Sequence, residues 1–135
     1  LTGRSRFPAG AALTQALARA CEAVLAWPQP FGPAAEALGV SRPALHRGLI
    51  VSGDRFVGAA SECASLRQAL PDALAVEMEG AALAQACHDL GLPFAVLRSI
   101  SDRADDSAHV DFMRFIDEVA SRASAAIVDG WLSAR

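Results

Sequence analysis

Val76-Glu77-Met78-Glu79-Gly80 decides how the chain folds, because it stands where an apolar run gives way to a helical one. Ala73-Leu74-Ala75-Val76 reads as a short buried strand, and residues 80–90 as a helix closed by Gly91 in the left-handed C′ position. Phe94-Ala95-Val96-Leu97 reads as the next strand, which sets Ser99-Ile100-Ser101-Asp102 in the loop that follows. The predicted βαβ unit therefore carries one carboxylate just past each strand, Glu79 and Asp102. Open α/β sheets build their binding crevices at that end of their strands.

Upstream, Gly48-Leu49-Ile50-Val51-Ser52-Gly53-Asp54 reads as an apolar strand that breaks at Ser-Gly-Asp, with Arg55-Phe56-Val57 directly behind it. Phe56 in such a crevice loop can be a stacking platform for a planar ligand or simply core. Residues 61–70 read as a helix stopped by Pro71-Asp72. Residues 10–26 read as an Ala/Leu-rich helix whose face of Leu13, Leu17, Ala20, Cys21, Val24 and Leu25 is expected to pack on a sheet. Residues 111–132 read as one long amphipathic helix capped by Asp111, with Phe112, Phe115, Ile116, Val119, Ala123, Ala126 and Ile127 on its apolar side. Strands alternating with helices argue for an α/β fold with a mostly parallel sheet and helices on its faces.

The 135 residues, 53% hydrophobic and 20% charged, suit one globular domain with a sizeable core. A net charge of −3 offers no attraction to nucleic acid or to an anionic membrane, which favours a small-molecule partner. No apolar run is long enough to span a bilayer and no signal peptide opens the sequence, so a cytoplasmic protein is expected. Cys21, Cys63 and Cys87 form no C-x-x-C pattern and are odd in number, as reduced small core residues would be.

Residues 27–46 are the least regular stretch and hold four of the seven prolines. Within it, Ala34-Ala35-Glu36-Ala37-Leu38-Gly39-Val40-Ser41 and the following Leu45 and Arg47 resemble the turn of a helix-turn-helix, with Gly39 at the bend. That motif needs a trihelical core, whereas the next residues read as a strand, so a surface insertion with one short helix is expected.

The chemistry visible in the residues reduces to Glu79 and Asp102 at one crevice with Phe56 nearby. Such a pair suits acid-assisted cleavage of a glycosidic bond, and it equally suits helix capping or pairing with Arg98 and Arg103. His46, His88 and His109 have no metal-ligand spacing, so no metal is expected. Ser52-Gly53-Asp54 has too few glycines for a dinucleotide fingerprint, Ser52-Gly53 is not a nucleophile elbow, and no cofactor is expected.

Gly48-Leu-Ile-Val-Ser-Gly-Asp54, Phe56, Ala75-Val-Glu-Met-Glu-Gly-Ala81, Ala84-Gln85, Cys87-His88, Pro93-Phe94, Arg98, Ser99-Ile-Ser-Asp102 and Ala104-Asp105 recur in order. They resemble the C-terminal half of the 5′-methylthioadenosine/S-adenosylhomocysteine nucleosidases, in the purine nucleoside phosphorylase superfamily, over about residues 48–132. The resemblance implies a three-layer α/β/α fold around a mostly parallel or mixed sheet, incomplete at its N-terminus. Residues 1–135 would be the C-terminal part of one nucleoside phosphorylase-like domain, with an insertion at about 27–46 where the family has a short connection. It further implies hydrolysis of the N-glycosidic bond of both nucleosides in methionine salvage, and a homodimer when complete.

By the same resemblance, Asp102 is the general acid on the adenine N7, and Ser101 helps hold the purine or the Asp102 carboxyl. Glu79 accepts hydrogen bonds from the ribose hydroxyls while Met78 packs on the sugar. Phe56 stacks on the purine, the Val57 backbone reads its Watson–Crick edge, and Phe112 walls the base pocket. Arg98 is an internal partner for a carboxylate. The family's water-activating glutamate belongs to an N-terminal half with no counterpart here, so a fragment inactive by itself is expected. The alternatives are a related phosphorylase, a hydrolase of another nucleoside such as the futalosine or hopanoid-pathway enzymes, or a non-catalytic module, including a DNA-binding one.

Overall fold

The computed structural model describes residues 3–27, 31–40, 42–100 and 112–134. Helix α1 (Ala11–Leu25) opens the fold, and its periodic face buries Ala18, Cys21 and Val24. The expected sheet beneath it is replaced chiefly by another helix, α6 (Ser121–Ser133), against which α1 packs. Both helices present a stripe of small and branched apolar residues, so they close against one another as two ridged surfaces. Cys21, Val24 and Ile127 form the buried cluster, with Leu17, Phe31, Leu45 and Leu97 packed around it.

The proline-rich stretch contributes one short helix, α2 (Pro33–Ala37), with proline in its first turn. Gly39 takes φ 75°, but residues 42–48 carry no helix where a recognition helix would stand. Gly39 ends a helical turn, and the chain runs on into a strand.

Strand β1 (Leu49–Ser52), helix α3 (Ala60–Ala69) and strand β2 (Ala73–Glu77) form the expected unit of two parallel strands with a helical crossover. Ile50 pairs with Ala75, Val51 with Val76 and Ser52 with Glu77, after an irregularity between Leu49 and Ile50. All four β1 residues are only half-buried, and in β2 only Glu77 is buried. Outside Arg6 and Asp72 hold the loop before β2 to the N-terminal segment through a two-point ion pair, Nη1 to Oδ2 at 2.7 Å and Nη2 to Oδ1 at 3.2 Å.

Helix α4 (Gly80–Asp89) follows β2 and packs on β1. Its C-terminus is the expected glycine stop: Gly91 has φ 66°, its N–H donates to His88 O at 3.2 Å, and the Leu92 N–H donates to Cys87 O at 2.8 Å. Both bonds of the Schellman motif are present. The strand expected at residues 94–97 is not formed. A strand exists only where a neighbour offers a ladder, and here Phe94 O instead accepts from the Gly10 N–H at 2.7 Å, which ties the segment to the start of α1.

The long C-terminal helix is also more broken than its periodicity implies. It runs as α5 (Phe112–Phe115), a π-helical turn (Ile116–Ala120) and α6. The turn closes at Ser121. Its hydroxyl donates to Asp117 O at 2.7 Å, the carbonyl its own N–H would take in an α-helix, and that N–H goes to Ile116 O instead. The expected face is buried at Val119 within the turn and at Ala123 and Ile127 in α6, whereas Phe112 and Ile116 are exposed. Asp111, the expected cap, lies outside the described residues.

Candidate functional site

Parallel pairing brings the C-terminal ends of β1 and β2 together, and the N-terminus of α4 meets them there. Helix N-termini leave backbone N–H groups without partners, and this one has no capping side chain at Glu79, its N-cap residue. Two residues from the strands satisfy it instead. Glu77 accepts from the Glu79 N–H at 3.0 Å (Oε2) and from the Gly80 N–H at 2.9 Å (Oε1) and 2.8 Å (Oε2). Ser52 Oγ accepts from the Ala81 N–H at 3.0 Å. The Gly53 N–H, donating to Glu77 O at 3.1 Å, fastens the turn after β1 to the end of β2.

Glu77 is the buried charged residue of this corner, 5% exposed. Burial alone would raise its pKa, but the Ser52 hydroxyl, the Glu79 and Gly80 N–H groups and the positive Arg98 together hold it below the ordinary carboxylate range. Arg98 stands between two carboxylates, its Nη1 3.5 Å from Glu79 Oε2 and 4.0 Å from Glu77 Oε2. That is the internal partnership expected of Arg98. The residue that sequence reasoning passed over is Glu77. Its signal is a carboxylate two residues before a helix N-cap and three before a glycine, a spacing that lets the side chain turn back onto the N–H groups ahead of it.

The residues expected to touch a ligand are distributed as follows. Met78 and Glu79 come directly after β2 and are exposed, the Glu79 side chain at 75%. Phe56 is four residues past β1, at the same end of the parallel pair, and is 60% exposed, which removes the plain-core reading of its ring. Val57 is half-buried and lines a cleft of about 510 Å³ between the strands and α3, together with Asp54, Arg55, Glu62, Leu66 and Val76. Of the described residues expected to touch a ligand, Val57 lines this cleft, whereas Phe56, Met78, Glu79 and Phe112 do not. Phe112 opens α5 and is 43% exposed. Ser101 and Asp102 lie outside the described residues.

Among the described residues no three His, Cys, Asp or Glu side chains gather as a metal site would require, and the three cysteines are free thiols. His88, at the exposed end of α4, meets the edge of the Phe7 ring with centroids 5.6 Å apart. No helix among the described residues is long and apolar enough to cross a membrane.

Among the solved structures that resemble this one are three of nucleosidases. S-adenosylhomocysteine nucleosidase from Streptococcus pyogenes, in complex with 5-methylthiotubericidin, is 29% identical with a TM-score of 0.72, over 98% of this chain and 49% of that one. The MTA/SAH nucleosidase of Streptococcus pneumoniae, in complex with 8-aminoadenine, is 29% identical with a TM-score of 0.74, over 100% of this chain and 51% of that one. A further structure of the S. pneumoniae nucleosidase, with the transition-state inhibitor MT-ImmA, is 29% identical with a TM-score of 0.68, over 97% of this chain and 50% of that one. The chain thus spans about half the length of these enzymes. The phosphorylase superfamily's family model matches residues 3–133. With a parallel β1–β2 pair ending at the Glu77–Gly80 corner and that match over almost its whole length, the chain belongs to the phosphorylase superfamily.

Proposed function

We propose that this chain supplies the base- and ribose-binding part of an N-glycosyl hydrolase acting on 5′-methylthioadenosine and S-adenosylhomocysteine. The likeness to nucleosidase structures over nearly all of the chain carries the reading. In it, Glu79 accepts hydrogen bonds from the ribose hydroxyls and Met78 packs on the sugar. Phe56 stacks on the purine, the Val57 backbone meets its polar edge, and Phe112 walls the pocket. Exposure of Phe56 and Glu79 at one end of the sheet supports these roles.

Asp102, with Ser101 beside it in sequence, donates its proton to N7 as the C1′–N9 bond lengthens. The bonding electrons leave with the base, and an oxocarbenium-like ribosyl cation forms. Water adds to C1′ and loses its proton, so adenine and the free thiosugar are released. An activated water requires a base that the family resemblance assigns to the other half of the fold. The active protein is therefore taken as residues 1–135 joined by the polypeptide that completes the nucleosidase fold, and we infer a cytoplasmic homodimer in methionine salvage. The negative net charge favours such a small-molecule role over nucleic-acid or membrane binding.

Titration of the active protein with 8-aminoadenine and 5-methylthiotubericidin tests the reading. Saturable binding of both, competed by 5′-methylthioadenosine, is expected. Failure of both to bind would overturn it.

A further inference from the structure

A carboxylate whose side chain is 2% exposed is costly to keep charged unless its oxygens are well partnered. Serine, threonine or aspartate at the N-cap would satisfy α4 with less burial of charge. What Glu77 does and an ordinary cap does not is hold the backbone N–H of Glu79 itself, at 3.0 Å, while also standing 4.0 Å from the Arg98 guanidinium. Arg98 in turn reaches the Glu79 carboxylate at 3.5 Å. Glu79 is 75% exposed, where one ion pair fixes a side chain poorly, so the direction of its carboxylate depends on the backbone from which it springs. Gly80 is part of the same device. A Cβ there would fall 2.7 Å from Glu77 Oε1, so any larger residue makes the carboxylate shift from its place over the two N–H groups.

We propose that Glu77 is the positioning residue of the ribose site: it sets the backbone at Glu79 and anchors Arg98, and so aims the Glu79 carboxylate at the 2′ and 3′ hydroxyls. The assignment rests on the nucleosidase reading above and adds to it a residue that touches no substrate atom. Glutamine at position 77 keeps the size but turns an N–H toward backbone N–H donors and removes the charge that holds Arg98. Alanine at position 80 leaves Glu77 intact and displaces it.

The test compares affinity for an adenine ribonucleoside with affinity for its 2′,3′-dideoxy analogue in the active protein, for wild type, Glu77→Gln and Gly80→Ala. Each variant is expected to weaken ribonucleoside binding about tenfold or more while the dideoxy analogue changes less than about threefold. Equal losses for the two sugars, or no loss for either, would overturn the assignment while leaving the nucleosidase reading in place. Failure of the wild type to bind either compound would instead overturn that reading, and the assignment with it. If one variant does not fold, the other carries the test. Unfolding of both would make the clamp a structural element only, which also overturns the assignment.

Discussion

The α1–α6 interface and the β1–β2–α4 corner solve opposite problems with the same chain. The first buries Cys21, Val24 and Ile127, none of them charged, and leaves polar side chains facing outward. The second leaves its strands half-covered, yet it is where a carboxylate is buried and where Ser52 Oγ, three backbone N–H groups and Arg98 converge. Apolar burial contributes stability with little geometric demand, whereas a buried charge is tolerated only with its partners in place and so fixes a geometry. The contrast separates what holds the fold together from what shapes a site.

Ile127→Ala should show the first region for what it is. Truncating a buried isoleucine costs about 3 kcal/mol through lost transfer energy and the cavity left behind. Denaturant unfolding should report that loss while the preference for ribonucleosides over dideoxy analogues stays unchanged. A changed preference would mean that the two regions are not independent.

Asp102→Asn should do the reverse. Loss of a general acid should lower turnover about a hundredfold or more, close to 2.7 kcal/mol in activation free energy, with an unaltered unfolding midpoint. Adenine release assayed beside thermal unfolding checks it, and turnover near wild type would remove the acid from Asp102. Next in size, Phe56→Ala should weaken purine binding by about 1–3 kcal/mol, the range for a base on an aromatic ring. Calorimetric titration with adenine measures it directly. An undiminished affinity would return Phe56 to the role of an exposed apolar side chain.

Much of the helical region is legible in the sequence, and the corner is legible only in part. The stripe along α1 and the Gly91 stop are local patterns, and periodicity and φ preference reveal them. Residues 94–97 have the composition of a strand, but a ladder is a property of two segments, and this one's carbonyl at Phe94 serves Gly10. The π-helical turn is a shift of the Ser121 N–H to the carbonyl of Ile116, one residue further back than an α-helix takes it, and side-chain spacing does not record such a shift. Glu77 is illegible for a similar reason: Glu79 stands at the helix start, while the residue two places earlier makes the hydrogen bonds.

The smallest expected effect concerns pH. Because the folded-state pKa of Glu77 is depressed, its ionised form stabilises the fold fully above the ordinary carboxylate range, and that contribution fades as pH falls through the depressed value. The difference in unfolding temperature between wild type and Glu77→Gln should therefore narrow on acidification. A difference that stays constant to strongly acid pH would show that the charge of Glu77 is not what the N–H groups and Arg98 hold.

The most direct test of the central claim is to identify the sugar released when the active protein meets 5′-methylthioadenosine, with and without inorganic phosphate. The account predicts adenine and free 5-methylthioribose at the same rate in both conditions, because water is the acceptor at C1′. Cleavage that requires phosphate and yields a sugar 1-phosphate would contradict it and make the protein a phosphorylase, and no cleavage in either condition would contradict the claim altogether.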